Sequence, residues 1–278
     1  MTKVAAIQMA SGPNVNANLL EAQRLIQLAA ANGAELVVLP ENFAIMGMSE
    51  QDKVRIGEQA DSGPLQDFLA EQARKNKIWI VGGTIPLAST DPKRIRAASL
   101  LFNDQGEQVV RYDKIHLFDV RISESDEHYN ESETIEGGSE VVVVDTPFGR
   151  LGMAICYDLR FPGLFRLMSE QGAEIFVLPA AFTAITGKAH WDTLVRARAI
   201  ENLSYMIASA QGGYHANGRE TYGHSMIVDP WGIVLDELPR GSGVVMAEID
   251  RNHLHDLRRS FPVLEHRRLS CAIPLKEA

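Results

Sequence analysis

Three side chains of this chain are of types that can together open a carbonyl compound: Cys156, Glu41 and Lys114. A thiolate is a strong nucleophile, but a free cysteine is only a few per cent ionised near neutral pH. A carboxylate within hydrogen-bond reach can take the thiol proton. An ammonium favours the thiolate and can then face a developing oxyanion. All three residues stand where an apolar run gives way to polar chain. Glu41 follows Val-Leu-Pro, Cys156 closes Leu-Gly-Met-Ala-Ile-Cys, and Lys114 closes Val-Val-Arg-Tyr-Asp-Lys. Ligands gather outside the carboxyl ends of parallel strands, which makes such positions candidates for chemistry. Each residue also has an ordinary reading. A cysteine closing an apolar strand is more often a small core residue. A glutamate after Leu-Pro is more often a solvated loop residue, and a lysine between Asp113 and His116 a surface charge. Taken singly, the three stop at an α/β protein.

The elements that must position them alternate between strand and helix patterns. Lys3 to Met9 is a short apolar run with the length of a buried strand. Val15, Leu19, Ala22, Ile26 and Ala29 then share one helical face, and Gly33 stops that helix. Glu35 to Pro40 reads as a strand buried on both faces. Pro64 opens a second helix with Leu65, Phe68, Leu69, Gln72 and Ala73 on one face. Ile78 to Ile85 is a further strand. Ala97–Phe102 and Gln108–Ile115 form a hairpin around Asn103-Asp104-Gln105-Gly106. Residues 117 to 139 are polar and irregular, and a loop of that length usually passes over a site. The second half repeats the plan: strands over Val141–Val144 and Arg150–Cys156, a helix over Phe161–Gln171, a strand over Glu174–Pro179, and a helix over His190–Asn202. Strands near 205–210, 223–228, 232–237 and 243–249 follow, with a last helix over Asn252–Ser260.

The halves echo one another. Gly33-Ala-Glu-Leu-Val-Val-Leu-Pro40 matches Gly172-Ala-Glu-Ile-Phe-Val-Leu-Pro179 at six of eight positions, each closing a β-α-β unit. Two related halves, each a sheet with helices outside it, predict an α/β fold: a four-layer α-β-β-α sandwich of two mixed sheets. The carboxyl ends of both sheets then meet at one edge. No Pro/Gly/Ser linker separates the halves, so we read residues 1–268 as one domain and 269–278 as a C-terminal tail.

The 278 residues carry 27 basic and 36 acidic side chains, a net charge of −9. That argues against a nucleic-acid surface, which needs a basic stripe. It leaves room for a small anionic substrate held by local cations. No apolar run reaches the length of a membrane span. The two cysteines, Cys156 and Cys271, cannot form a disulfide framework, which points to a reduced, cytoplasmic setting. Of the histidines, His253 and His255 lie two apart on a predicted helix and do not share a face. We expect no metal and no cofactor.

Three stretches carry a family resemblance: Leu39-Pro40-Glu41-Asn42-Phe43, Tyr112-Asp113-Lys114-Ile115-His116, and Gly152-Met-Ala-Ile-Cys156-Tyr157-Asp158-Leu159-Arg160-Phe161-Pro162. They resemble the nitrilase, or carbon–nitrogen hydrolase, superfamily over nearly the whole chain. The resemblance implies a catalytic set of Glu41, Lys114 and Cys156. It places a second family glutamate at Glu131 in Asn130-Glu131-Ser132, with Glu124, Glu127 and Glu133 as rivals. Cys156-Tyr157-Asp158 looks like the amidase branches rather than the true nitrilases. Ala181-Phe-Thr-Ala-Ile-Thr-Gly187 and Tyr222-Gly-His-Ser-Met-Ile-Val-Asp-Pro-Trp-Gly232 are similar to the ω-amidase and deaminated-glutathione amidase branches, closer to the latter.

The implied reaction is hydrolysis of a small linear carboxylated amide through a thioester on Cys156. Tyr157 then supplies a backbone oxyanion donor, while Thr183, Thr186 and an arginine, Arg160 or Arg198, receive the substrate's carboxylate and keto groups. A structural pair with Asp158 is the ordinary alternative for Arg160. The family also implies a homodimer joined through helices outside the sheets. Four rivals stay open: an ω-amidase acting on 2-oxoglutaramate, another carbon–nitrogen hydrolase such as an N-carbamoyl amidase, a Cys–His thiol hydrolase using His190 or His224, and a metabolite-binding scaffold without activity.

Overall fold

The computed structural model describes residues 1–122 and 127–269. Two β-sheets pack face to face, with helices covering each outer face. The first sheet is built on Thr2–Gln8, which runs parallel to Leu36–Val38, itself parallel to Trp79–Val81. The second repeats that core with Gly149–Met153, Ile175–Ala180 and Tyr205–Ala210, all parallel neighbours. Antiparallel strands flank both sets, so both sheets are mixed. The echo seen in the sequence is structural. Gly33 and Gly172, which open the two matching segments, both take the left-handed turn, at φ of 87° and 85°. One strand breaks the simple division into halves. Gly243–Ile249 crosses back and pairs antiparallel with Thr2–Gln8, closing the first sheet with the end of the chain.

Strand Thr2–Gln8 shows why four layers form. Val4 and Ala6 are buried against the second sheet. Ala5 and Ile7 are buried on the opposite face, against helices α1 (Val15–Ala31) and α3 (Pro64–Asn76). A strand apolar on both faces needs cover on both. The short helix α2 (Gln51–Arg55) lies between them in sequence and was not expected. The second sheet is covered by α4 (Pro162–Glu170) and α5 (Ala184–Asn202), through Phe165, Met168, Trp191, Val195 and Ala199. Helix α6 (Arg251–Ser260) follows the last strand.

Several boundaries differ from the sequence reading, each for a local reason. The expected strand Ile78–Ile85 is two strands, Trp79–Val81 and Ile85–Ala88. The break is Gly83, at φ 54°, where a Cβ would stand 2.2 Å from the Pro40 carbonyl oxygen. Helix α5 starts at Ala184, six residues before His190, because Thr183 caps it by accepting from Thr186 N at 3.3 Å. The loop 117–139 contains regular structure: strands Asp119–Ile122 and Glu127–Asn130 pair, and Glu131–Glu133 makes a 3-10 turn. A further hairpin, Gly212–Tyr214 with Glu220–Tyr222, projects from the second sheet. Cys271 and Glu124 lie outside the described residues.

Candidate active site

Cys156 does not end its strand. The strand stops at Met153, and Ala154 and Ile155 lead into a 3-10 turn, Cys156–Arg160. The cysteine has φ of 45°, a left-handed conformation that a non-glycine residue holds only when its surroundings enforce it. Asp158, fully buried, enforces it here. Its carboxylate accepts from Ile155 N at 2.9 Å, Tyr112 OH at 2.6 Å and His116 N at 3.1 Å, and pairs with His116 Nδ1 at 2.6 Å. The nucleophile's turn is thereby tied to the strand that delivers Lys114.

Glu41 and Lys114 arrive from the first sheet. Glu41 follows strand Leu36–Val38 and is 4% exposed. Its carbonyl accepts from Gln211 Nε2 at 3.0 Å, and the next amide, Asn42 N, donates to Thr84 Oγ1 at 2.8 Å. Gln211 belongs to the second half and also holds Ser11, through N–H and hydroxyl contacts of 3.0 and 2.9 Å. Lys114 follows strand Gln108–Asp113 and is 2% exposed. Lys114 N donates to Ala97 O at 3.0 Å, and Lys114 O accepts from Gly138 N at 2.8 Å. Both sides of the lysine backbone are thus fixed.

Lys114 Nζ sits 2.8 Å from Glu41 Oε1 and 2.8 Å from each oxygen of Glu131. Glu131 Oε2 also accepts from Phe118 N at 2.7 Å. The structure thus brings Glu131 to the lysine, whereas Glu133 is exposed. Burial raises the Glu41 carboxyl, but the Lys114 ammonium outweighs it and holds Glu41 below the usual carboxylate range. Burial likewise lowers Lys114, yet Glu131 and Glu41 together push it well above an ordinary lysine. The Cys156 thiol goes up, through burial and the Glu41 charge, against the pull of Lys114. At rest the site therefore holds an ionised carboxylate, an ammonium and a neutral thiol.

These four residues form the floor of one open cavity of about 380 Å3. That is within the size range of small-molecule sites. Tyr157, Arg160, Thr183 and Thr186 also line it. Arg160 does not pair with Asp158. It contacts His190 Nδ1 at 3.2 Å and lies over the Tyr157 and Phe182 rings, so it has no carboxylate partner among the described residues. Arg198 is placed elsewhere. It is buried, bonds Leu159 O through Nε and a terminal nitrogen at 3.0 and 2.8 Å, and does not line the cavity. Neither His190 nor His224 lines it, which removes the two histidines proposed as thiol bases. His224 pairs with Glu237 and stacks on Tyr222 instead.

The sequence reading missed the outer wall: Glu50, Lys53, Tyr129, Asn217 and Arg219. Lys53 Nζ is 2.9 Å from Glu50, and Arg219 is 3.2 Å from the same carboxylate. The Lys53 charge holds Glu50 below the usual range. A signal for this wall was present. Asn217-Gly218 is a turn signal, and Gly218, at φ 85°, turns the loop 215–219 that presents Arg219.

The chain matches the carbon-nitrogen hydrolase family model over residues 3–259. The chain belongs to the carbon–nitrogen hydrolase family. A "Deaminated glutathione amidase" of Yersinia enterocolitica is 44% identical over 273 residues, 98% of this chain and 95% of that protein. Among solved structures of carbon–nitrogen hydrolase relatives, the Caenorhabditis elegans NitFhit protein superposes with a TM-score of 0.88 at 38% identity. That match covers 96% of this chain, which spans 65% of the longer NitFhit chain. A Saccharomyces cerevisiae protein of branch 10 of the nitrilase superfamily superposes with a TM-score of 0.86 at 33% identity, covering 96% of this chain and 97% of that one.

Proposed function

We propose that this protein is a thiol amidase that hydrolyses deaminated glutathione to 2-oxoglutarate and Cys-Gly. The observation that carries the chemistry is the convergence of Glu41, Lys114 and Glu131 on one floor with Cys156. The substrate assignment draws on the similarity to deaminated glutathione amidases over nearly the full chain.

Glu41, ionised beside a neutral thiol, takes the Sγ proton as Sγ attacks the amide carbon. The carbonyl oxygen becomes an oxyanion facing Lys114 Nζ and the Tyr157 N–H. One such donor is worth about 3–4 kcal/mol of barrier. As the tetrahedral intermediate collapses, Glu41 returns the proton to the leaving nitrogen, and the amine departs from a thioester on Cys156. Water then gives a proton to Glu41 and attacks the thioester carbon. Collapse releases the acid, and Glu41 restores the thiol. Glu131 keeps Lys114 charged and aimed. Arg160, unopposed by any described carboxylate, takes the acyl-side carboxylate near the α5 N-terminus, where Thr183 and Thr186 add hydroxyls and the helix dipole favours an anion.

Intact mass measurement after brief substrate exposure tests this. A 2-oxoglutaryl adduct on wild type, and none on Cys156→Ala, is the expected result. No adduct and no hydrolysis across deaminated glutathione, 2-oxoglutaramate, N-carbamoyl-β-alanine and a simple nitrile would overturn it in favour of a binding scaffold.

The same reading includes one hydrolase domain over 1–268, a short tail, and a cytoplasmic homodimer. What supports the dimer is an exposed apolar patch outside the second sheet. Ile200, Trp231, Ile233 and Phe261 are each about half exposed, and the Trp231 and Phe261 rings meet at 5.6 Å. Light scattering that finds a single species of monomer mass in dilute solution would contradict the dimer. For membranes, no helix among the described residues is long and apolar enough to cross one.

A further inference from the structure

The cavity has a guanidinium at each end of an aromatic rail. Arg160 lies 5.8 Å from the Tyr157 ring centroid. Tyr157 meets Phe118 at 5.0 Å, and Phe118 meets Tyr129 at 5.1 Å. Arg219 completes the rail, 4.8 Å from the Tyr129 centroid. All five residues line the one cavity that holds Cys156. The two arginines come from unrelated elements, the turn after the nucleophile and the hairpin over Gly212–Tyr222, so they reach it from different walls.

Two further observations mark the Arg219 end as an anion site. Glu50 is shared by Lys53 and Arg219, which leaves one positive charge there unbalanced among the described residues. Among the described residues of the cavity lining, four cations face three carboxylates, in a chain whose net charge is −9. Arg219 Nε is buried and has no hydrogen-bond partner among the described residues. Nε is covered, but the side chain keeps 23% of its surface exposed and only Nη1 is bonded to Glu50, so the remaining terminal nitrogen, without a partner among the described residues, is the donor open to a ligand oxygen. A guanidinium suits a carboxylate in particular, because its fork can donate two parallel hydrogen bonds.

We propose that Arg219 is a specificity residue that binds a second carboxylate, carried on the amine half of the substrate. The substrate class is then a linear amide with a carboxylate at each end, one received at Arg160 and one at Arg219. The inference rests on the amidase reading and deepens it, because deaminated glutathione carries a terminal glycine carboxylate that 2-oxoglutaramate lacks. Both substrates pass through the same thioester, so an effect of Arg219 appears in acylation alone.

The test compares kcat/KM for three amides: deaminated glutathione, the same compound with its glycine carboxylate capped as a carboxamide, and 2-oxoglutaramate. Wild type should prefer the carboxylate over the carboxamide by about 10- to 100-fold, the usual range for a hydrogen bond to a charged group. Arg219→Ala should erase that preference, and Arg219→Lys should keep part of it. The 2-oxoglutaramate arm, with its acyl adduct, reports whether the catalytic floor survives each substitution. Arg219→Ala retaining the preference, or losing the same factor on 2-oxoglutaramate, would overturn the proposal. A wild type active on 2-oxoglutaramate but not on deaminated glutathione would instead overturn the substrate reading beneath it.

Discussion

The floor and the rim of this cavity use the same ingredients, carboxylates paired with cations, to opposite ends. On the floor, Lys114, Glu41 and Glu131 are almost removed from water and hold each other at 2.8 Å. On the rim, Glu50 keeps 43% of its side chain exposed while pairing with a buried Lys53 and a partly exposed Arg219. Removing a partner from a buried set leaves an uncompensated charge, worth about 3–5 kcal/mol. An exposed pair is typically worth up to about 1 kcal/mol. The floor is therefore committed to one charge state, while the rim can rearrange around whatever enters.

Breaking the floor should give the largest effects. Cys156→Ala should remove turnover altogether, by about 10^4-fold or more. Lys114→Ala should lose about 10^3-fold in kcat and also destabilise the fold. The sign of its pH dependence is distinctive. Without the ammonium, burial is left to push the Glu41 carboxyl up, so the penalty is full above the ordinary carboxylate range and shrinks as pH falls through it. Urea denaturation of Lys114→Ala and wild type from neutral pH to pH 5 measures this, and a gap that widens on acidification would refute the account of the floor.

A smaller loss is expected one layer out. Asp158→Asn places an amide NH2 group against donors, so it should lower stability by about 1–3 kcal/mol. It should also reduce kcat more than it raises KM, because Asp158 acts by placing Cys156. An unchanged denaturation midpoint would show that the turn does not depend on it. The thiol itself offers a quieter measurement. With Cys156 pushed up by burial and Glu41, iodoacetamide alkylation should be slow at neutral pH and should rise only above the usual thiol range. A thiol titrating in the acid range would contradict the resting charge state.

The rim should respond least. Glu50→Gln frees two cations, so KM for a dianionic amide should fall by about two- to fivefold, with the gain fading in high salt. A rise in KM would mean that Glu50 positions Arg219 more than it competes with the substrate for it.

The same contrast explains what the sequence made legible. Glu41, Lys114 and Cys156 each follow an apolar run, so their types and places were visible without coordinates. The layers were legible for a similar reason: continuous apolar strands such as Glu35–Pro40 need cover on both faces. The left-handed conformation at Cys156 was not legible, because it is imposed by Asp158 through partners 42 and 46 residues away. Helix α5 was read too short because Ile185, Thr186 and Gly187 are weak helix formers. Its early start depends on the Thr183 cap and on Gly187 passing beneath Tyr222, where a Cβ would stand 2.3 Å from a side-chain carbon. The rim draws on residues 50, 53, 129 and 219, which no local spacing connects.

Gln211 has a further consequence. It grips the carbonyl of Glu41 from across the boundary between the two halves, and its own backbone N–H donates to Ala180 O at 2.9 Å. The proton acceptor of one half is thus seated by a side chain of the other, and the nucleophile stands on that other half. Neither half owns a complete reaction centre. Fragments separated between the halves should each be inert, and turnover on mixing them would count, molecule by molecule, how many seams had closed in register.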